Sequence, residues 1–244
     1  MKTIEQDNVE FEVDEYSGCL KRIYNCPLDE DENENEDVYI PHVLHDGTEI
    51  NCLGYEFCVT ATVGKLTVDN AISKIDNGAF RAADCVEVVW PDSCNVIPAD
   101  CFRDSIVQKL TNIDHVTTIG AAAFANCGMQ EFTWPSNCNI IPEGCFHGTP
   151  LNKIKNLEHV TKVEDIAFAK IKTPLKIDLS KGTYPPAISD SAFLSSNCEV
   201  ELPYYSSNDI DAVDVAALSK KSLKDIRKNS KENDLLFKLM RLMP

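Results

Sequence analysis

Six phenylalanines stand in register along the chain, at Phe80, Phe102, Phe124, Phe146, Phe168 and Phe193, with four successive gaps of 22 residues and a last gap of 25. Five residues before each is an aliphatic residue: Ile75, Ile97, Ile119, Ile141, Val163 and Ile188. Apolar residues also recur at fixed offsets behind the phenylalanines. Cys85, Val107, Met129 and Leu151 come five residues later; Val88, Leu110, Phe132 and Ile154 come eight later; Cys94, Val116, Cys138 and Val160 come fourteen later. A unit of this size cannot bury such a set by itself, so the units must stack and cover one another.

Offsets five to ten alternate with a period of two, as in Cys85-Val86-Glu87-Val88-Val89-Trp90, which predicts a strand in each unit. Stacked strands lie about 4.8 Å apart, so equal offsets become lateral neighbours. The outward offset seven then reads Glu87, Lys109, Glu131, Lys153, an expected ladder of alternating charge in which each ion is satisfied by the next. Outward offset nine reads Val89, Thr111, Thr133, Lys155. A second period of 44 overlies the first. Trp90-Pro91-Asp92-Ser93-Cys94-Asn95-Val96-Ile97-Pro98 returns as Trp134-Pro135-Ser136-Asn137-Cys138-Asn139-Ile140-Ile141-Pro142, and Leu110–Val116 returns as Ile154–Val160. Units therefore alternate between a Trp-Pro type and an Asn type, the mark of a duplicated two-unit block.

The segment Val116-Thr117-Thr118-Ile119-Gly120-Ala121-Ala122-Ala123-Phe124-Ala125-Asn126-Cys127, followed by an aliphatic strand and a proline, resembles the BspA-type leucine-rich repeat over roughly residues 71–203. Val38-Tyr39-Ile40-Pro41 and the segment up to Phe57 read as a degenerate first unit. The resemblance implies strand-and-turn units stacked into a curved solenoid, and a family of binding scaffolds with diverse partners. The chain departs from that pattern at offset ten, which carries Trp or Asn where an aliphatic residue is usual. The expected fold is a β-rich repeat solenoid, a leucine-rich-repeat-like right-handed stack of about six to seven units, with an N-terminal β-hairpin cap and a C-terminal helical cap or tail.

The ends divide the chain further. Val9–Asp14 and Leu20–Tyr24 alternate around a Tyr16–Cys19 turn and read as a hairpin within a cap over residues 1–45. Within that cap, residues 29–37 hold seven acids in nine positions but lack the glycine and spacing of a calcium loop, so a solvated acidic loop is expected. The repeats are expected over 46–205 and a helical cap and tail over 206–244. The apolar run Leu235–Met243, with Phe237 and Met240, exceeds one helical face. It suits folding back on the last rung, docking on a partner or a second copy, or, least, lying on a membrane surface.

Net charge is −16, with 15 acidic and 3 basic residues in positions 1–50 and a basic excess over 219–244. Direct binding to nucleic acid is therefore not expected. Eleven cysteines include no Cys-x-x-Cys, and most fall on core offsets, so they are expected to be reduced and buried. His115 and His159 share one repeat position, and Cys145 repeats Cys101. Neither a phosphate loop nor a nucleophile motif is present. No enzyme activity, metal or cofactor is expected. With no transmembrane segment and no visible secretory signal, the expectation is a cytoplasmic protein-binding scaffold. The surfaces expected to serve it are the outward strand residues Glu87, Val89, Lys109, Thr111, Glu131, Thr133, Lys153 and Lys155, together with Phe237 and Met240 of the tail. Two alternatives stand beside it: an acidic antagonist of the phage-encoded kind that masks a basic nucleic-acid-binding surface, and a self-associating structural protein joined through its tail.

Overall fold

Alternation in the first residues builds the cap. Strands β1 (Lys2–Gln6), β2 (Val9–Asp14) and β3 (Cys19–Asn25) form an antiparallel meander. Asp7 and Asn8 make the first turn with φ of 52° and 61°, the pair of left-handed residues that a two-residue hairpin turn requires. Ile4, Val9, Phe11, Val13, Leu20 and Ile23 face the core. The expected hairpin is β2–β3, and β1 adds a third strand to it. The computed structural model describes residues 1–25, 37–59, 62–182 and 185–203. The acidic run before Asp37 and the expected C-terminal helix and tail, with Phe237 and Met240, lie outside the described residues.

From Val38 onward the chain winds as a parallel solenoid of about seven turns. Each turn gives one strand to each of two sheets. The long-strand sheet takes β4 (Val38–Ile40), β6 (Thr62–Val68), β8 (Asp84–Val89), β10 (Lys109–Thr111), β12 (Glu131–Thr133), β14 (Lys153–Lys155), β16 (Leu175–Asp178) and β18 (Cys198–Glu201). These occupy the offsets expected from the alternation. The short-strand sheet takes β5 (Cys52–Leu53), β7 (Lys74–Ile75), β9 (Val96–Ile97), β11 (Thr118–Ile119), β13 (Ile140–Ile141), β15 (Lys162–Val163) and β17 (Ala187–Ile188). The aliphatic residue five before each phenylalanine is the inward residue of one of these two-residue strands. The cap joins the second sheet through the parallel pair β3–β5.

Between the sheets, the corner carrying each phenylalanine closes the turn. All six rings are buried, and five successive pairs stack with centroids 5.0, 5.7, 5.4, 5.4 and 5.5 Å apart. Such stacking adds about 0.5–1.5 kcal/mol per pair beyond burial. Corner backbones bond from rung to rung in the same register: Phe102 N–H to Ala123 O, Phe124 N–H to Cys145 O and Phe146 N–H to Ala167 O. Gly120 sits where a Cβ would come within 2.4 Å of the Ala99 backbone nitrogen, so the rungs are too close there for a side chain.

The 44-residue period appears as two kinds of joint between rungs. Where an Asn-type rung follows a Trp-type rung, both sheets are bonded: β8 pairs with β10, β9 with β11, β12 with β14 and β13 with β15. The second rung also caps the first. Asn112 Nδ2 donates to Trp90 O (2.8 Å), and Asn156 Nδ2 donates to Trp134 O (2.6 Å). His115 Nε2 lies 3.2 Å from Pro91 O, and His159 Nε2 lies 2.9 Å from Pro135 O. The two histidines are thus equivalent turn-capping groups, as their shared repeat position implied.

Where the second Trp-type rung follows the first Asn-type rung, neither sheet continues: β10 does not pair with β12, nor β11 with β13. Prolines account for part of this. Gly120 N–H donates to Ile97 O and Glu164 N–H donates to Ile141 O, but the equivalent position between them is Pro142, which has no N–H. Side chains partly substitute, with Cys138 Sγ donating to Val116 O and Asn137 Nδ2 donating to Asp114 O.

Candidate functional site

The gap between β10 and β12 opens a cleft of about 650 Å³ on the outer face of the long-strand sheet. One wall is Gln108–Asp114; the other is Gln130–Thr133, with Lys155 of the next rung at the rim. Leu110 and Phe132 stand at equal offsets on the two walls, where paired strands would bring them side by side. Leu110 is partly buried and Phe132 buried, its ring packed 4.9 Å from Phe124.

Five of the eight outward strand residues expected from the sequence line this cleft: Lys109, Thr111, Glu131, Thr133 and Lys155. Glu87 and Val89 lie one rung to one side, on β8, and Lys153 lies one rung to the other, on β14. The expected charge ladder holds only within each block. Lys109 pairs with Glu87 at 2.8 Å and Lys153 with Glu131 at 3.0 Å, but Lys109 and Glu131 form no ion pair, because their strands are not bonded. Farther along, Lys176 pairs with Glu201 at 2.9 Å, and that hydrogen bond raises the lysine above its ordinary value. Lys155 makes no ion pair among the described residues and is exposed.

A second, smaller cavity of about 400 Å³ lies beside the short-strand sheet, between Glu143, Lys162, Glu164, Asp165 and Ser189. Ser189 and Ser191 hydroxyls donate to Asp165 and hold its carboxyl below the usual range. No histidine is among the residues that line it. The other histidines are engaged locally: His42 Nδ1 with Ile50 O at 2.9 Å, and His45 with Gln6 Oε1. His147 is lowered, chiefly by burial and then by Lys170. Cys101 and Cys145 are fully buried, and burial pushes their thiols well up, which opposes a nucleophilic role.

Sequence reasoning placed the outward strand residues but not the cleft, since the alternation is the same on every rung. Pro142 removes a donor toward the preceding rung only in the short-strand sheet; its counterpart Pro98 stands where β6 and β8 still pair, so no proline marks the β10–β12 gap.

Comparison with known proteins agrees with the fold. The BspA type Leucine rich repeat region matches in six copies over residues 73–199, just over half of the chain. A leucine-rich repeat protein from Bacteroides ovatus is similar in structure, with a TM-score of 0.61 and 19% identity over 83% of this chain and 54% of that one. A leucine rich cell surface protein from Faecalibacterium prausnitzii gives a TM-score of 0.56 and 18% identity, over 85% of this chain and 59% of that one. The chain thus spans little more than half the length of these solved relatives. No curated protein matches the sequence. Six repeat copies, on a solenoid whose aromatic column keeps their register, make the chain a member of the BspA-type leucine-rich-repeat family.

Proposed function

We propose that the chain is a non-catalytic protein-binding scaffold, and that the cleft between β10 and β12 receives a segment of its partner. The observation that carries this reading is the break in the long-strand sheet. It leaves two strand edges facing each other without mutual bonds, and such edges are templates for an added extended chain. Threonines, lysines of both walls and the Leu110–Phe132 pair supply the mixture of polar and apolar contacts that a peptide uses. Family membership supports a scaffold role and leaves the partner open.

The test is quantitative affinity capture from the native host's lysate with three full-length proteins, wild type, Thr133→Arg and Glu199→Arg (the last on an outward site remote from the cleft), and a fourth chain ending at Pro203. The expected result is one dominant partner retained by wild type and Glu199→Arg and reduced at least tenfold by Thr133→Arg. Equal capture by all three would move the site off the cleft. A partner lost only on truncation after Pro203 would assign binding to the tail. The acidic-antagonist reading draws on the net charge of −16 and predicts an affinity that falls steeply with salt.

A further inference from the structure

Two cysteines stand apart from the core thiols. Cys19 and Cys52 are directly opposed residues of the parallel pair β3–β5, and their strand neighbours Leu20 and Leu53 point inward with no exposure. Cys19 and Cys52 therefore point outward, in the column continued by Lys74, which is exposed. Both are nonetheless buried, and Lys21 Cδ and Cys19 Sγ lie together over Gly54, where a Cβ would be 3.3 Å from that sulfur. The two sulfurs are 2.9 Å apart. By contrast, Cys94 and Cys138 donate to backbone carbonyls, and Cys101 and Cys145 are enclosed in the core.

A metal is the first alternative, because the Asp76 carboxylate lies within 4.8 Å of both sulfurs. Three donors fall one short of a closed structural zinc site, and Asp76 is already paired with Lys74 at 3.1 Å. The backbone fits a disulfide better. Adjacent strands hold opposed Cα atoms about 4.8 Å apart, inside the roughly 4.4–6.8 Å that a disulfide spans, and the sulfurs need to approach by less than about 1 Å to bond.

We propose that Cys19 and Cys52 are an oxidation site whose disulfide staples the N-terminal cap to the first turn of the solenoid. The oxidant is a low-molecular-weight disulfide. One protein thiol, as thiolate, attacks a sulfur of that disulfide, forming a mixed disulfide and expelling one small thiolate. The second protein thiol then loses its proton and attacks the protein sulfur of the mixed disulfide, expelling the second small thiolate. The protein pair gives up two electrons and two protons, and the oxidant becomes two thiols. The loop so closed runs from 19 to 52 and contains the whole acidic run 29–37.

The test uses the full chain, first reduced, then incubated with oxidised glutathione in mildly alkaline buffer, alkylated in denaturant and digested without reduction. The expected result is a Cys19–Cys52 cross-linked peptide, two hydrogens lighter than its reduced parts, with a thermal midpoint several degrees higher. That gain is reversed by a dithiol and absent from Cys52→Ser. Full alkylation of both residues after oxidation, or a cross-link that joins other cysteines, would overturn the proposal. So would stoichiometric zinc held by the reduced chain and lost in Asp76→Asn, which would make the same cluster a metal site.

Discussion

Asn112 shows how much of a turn one side chain can hold. Its φ is 61°, a conformation asparagine tolerates and alanine resists, and its amide bonds both Trp90 O and Asp92 Oδ1 at 2.8 Å. Asn112→Ala should cost roughly 2 kcal/mol, about half from the two lost bonds, of which the one to Asp92 is exposed, and half from the left-handed backbone. Asn112→Gly keeps the backbone free and should cost roughly 1 kcal/mol. Denaturant midpoints of the two variants separate the contributions; equal losses would mean that the conformation contributes nothing. Asp69 is a second such residue. Its carboxyl is held below the usual range, first by Ala71 N–H at 2.8 Å, then by the Tyr39 hydroxyl at 2.7 Å and His42 N–H. In return, that hydrogen bond pushes Tyr39 up to about 12. A lowered acid stabilises the fold above its unfolded value and loses that contribution as pH falls through its folded one. A raised tyrosine does so below its unfolded value of about 10 and loses it as pH rises toward its folded one. The pair therefore stabilises most between about pH 4 and pH 10. Asp69→Asn should weaken the acid dependence of stability and bring the Tyr39 titration, read by ultraviolet absorbance against Tyr39→Phe, back toward its ordinary value. An unmoved titration would show that Asp69 is not its cause.

Among the elements, the aromatic column outweighs the charge ladder. Phe102 is fully buried between Phe80 and Phe124, whereas Lys109 is 61% exposed in its pair with Glu87. Phe102→Ala should cost about 3–5 kcal/mol, and Lys109→Ala less than about 1 kcal/mol, by equilibrium unfolding. A larger loss at Lys109 would mean that exposed pairs, not the rings, hold the rungs. This ranking explains what the sequence could show. The column and the long strands were legible because core residues recur at fixed offsets. The short strands were not, because two residues cannot display alternation; only their inward Ile or Val was visible. Likewise, Cys19 and Cys52 are 33 residues apart and meet only through the β3–β5 register, which no local pattern announces. The Trp and Asn at offset ten looked like departures from the family. They are the two halves of one cap, since Trp90 Nε1 bonds Cys94 O at 2.8 Å while Asn112 takes Trp90 O from the next rung.

For the molecule as a whole, the consequence is a solenoid whose joints are unequal. Each joint inside a duplicated block is bonded by backbone in both sheets; the joint between the two blocks is held by the phenylalanine corner and by side chains. Opening should therefore begin between the blocks, because exchange follows local opening and fewer bonds must break there. Equivalent amides make the comparison clean. Gln108 N–H donates to Val86 O and Asn152 N–H to Gln130 O, but the equivalent bond from Gln130 to Gln108 is missing. Similarly, Thr117 N–H donates to Asn95 O and Thr161 N–H to Asn139 O, without the equivalent from Asn139 to Thr117. Residue-resolved hydrogen exchange should find Gln130 and Asn139 exchanging at least about tenfold faster than Gln108, Asn152, Thr117 and Thr161. Uniform protection along all six would mean that the joint is closed in solution and would remove the cleft on which partner binding is proposed. If the cleft does take an extended segment, addition of the captured partner should slow Gln130 selectively while leaving Asn139, on the other sheet, unchanged. That difference separates a strand added between β10 and β12 from a general tightening of the stack.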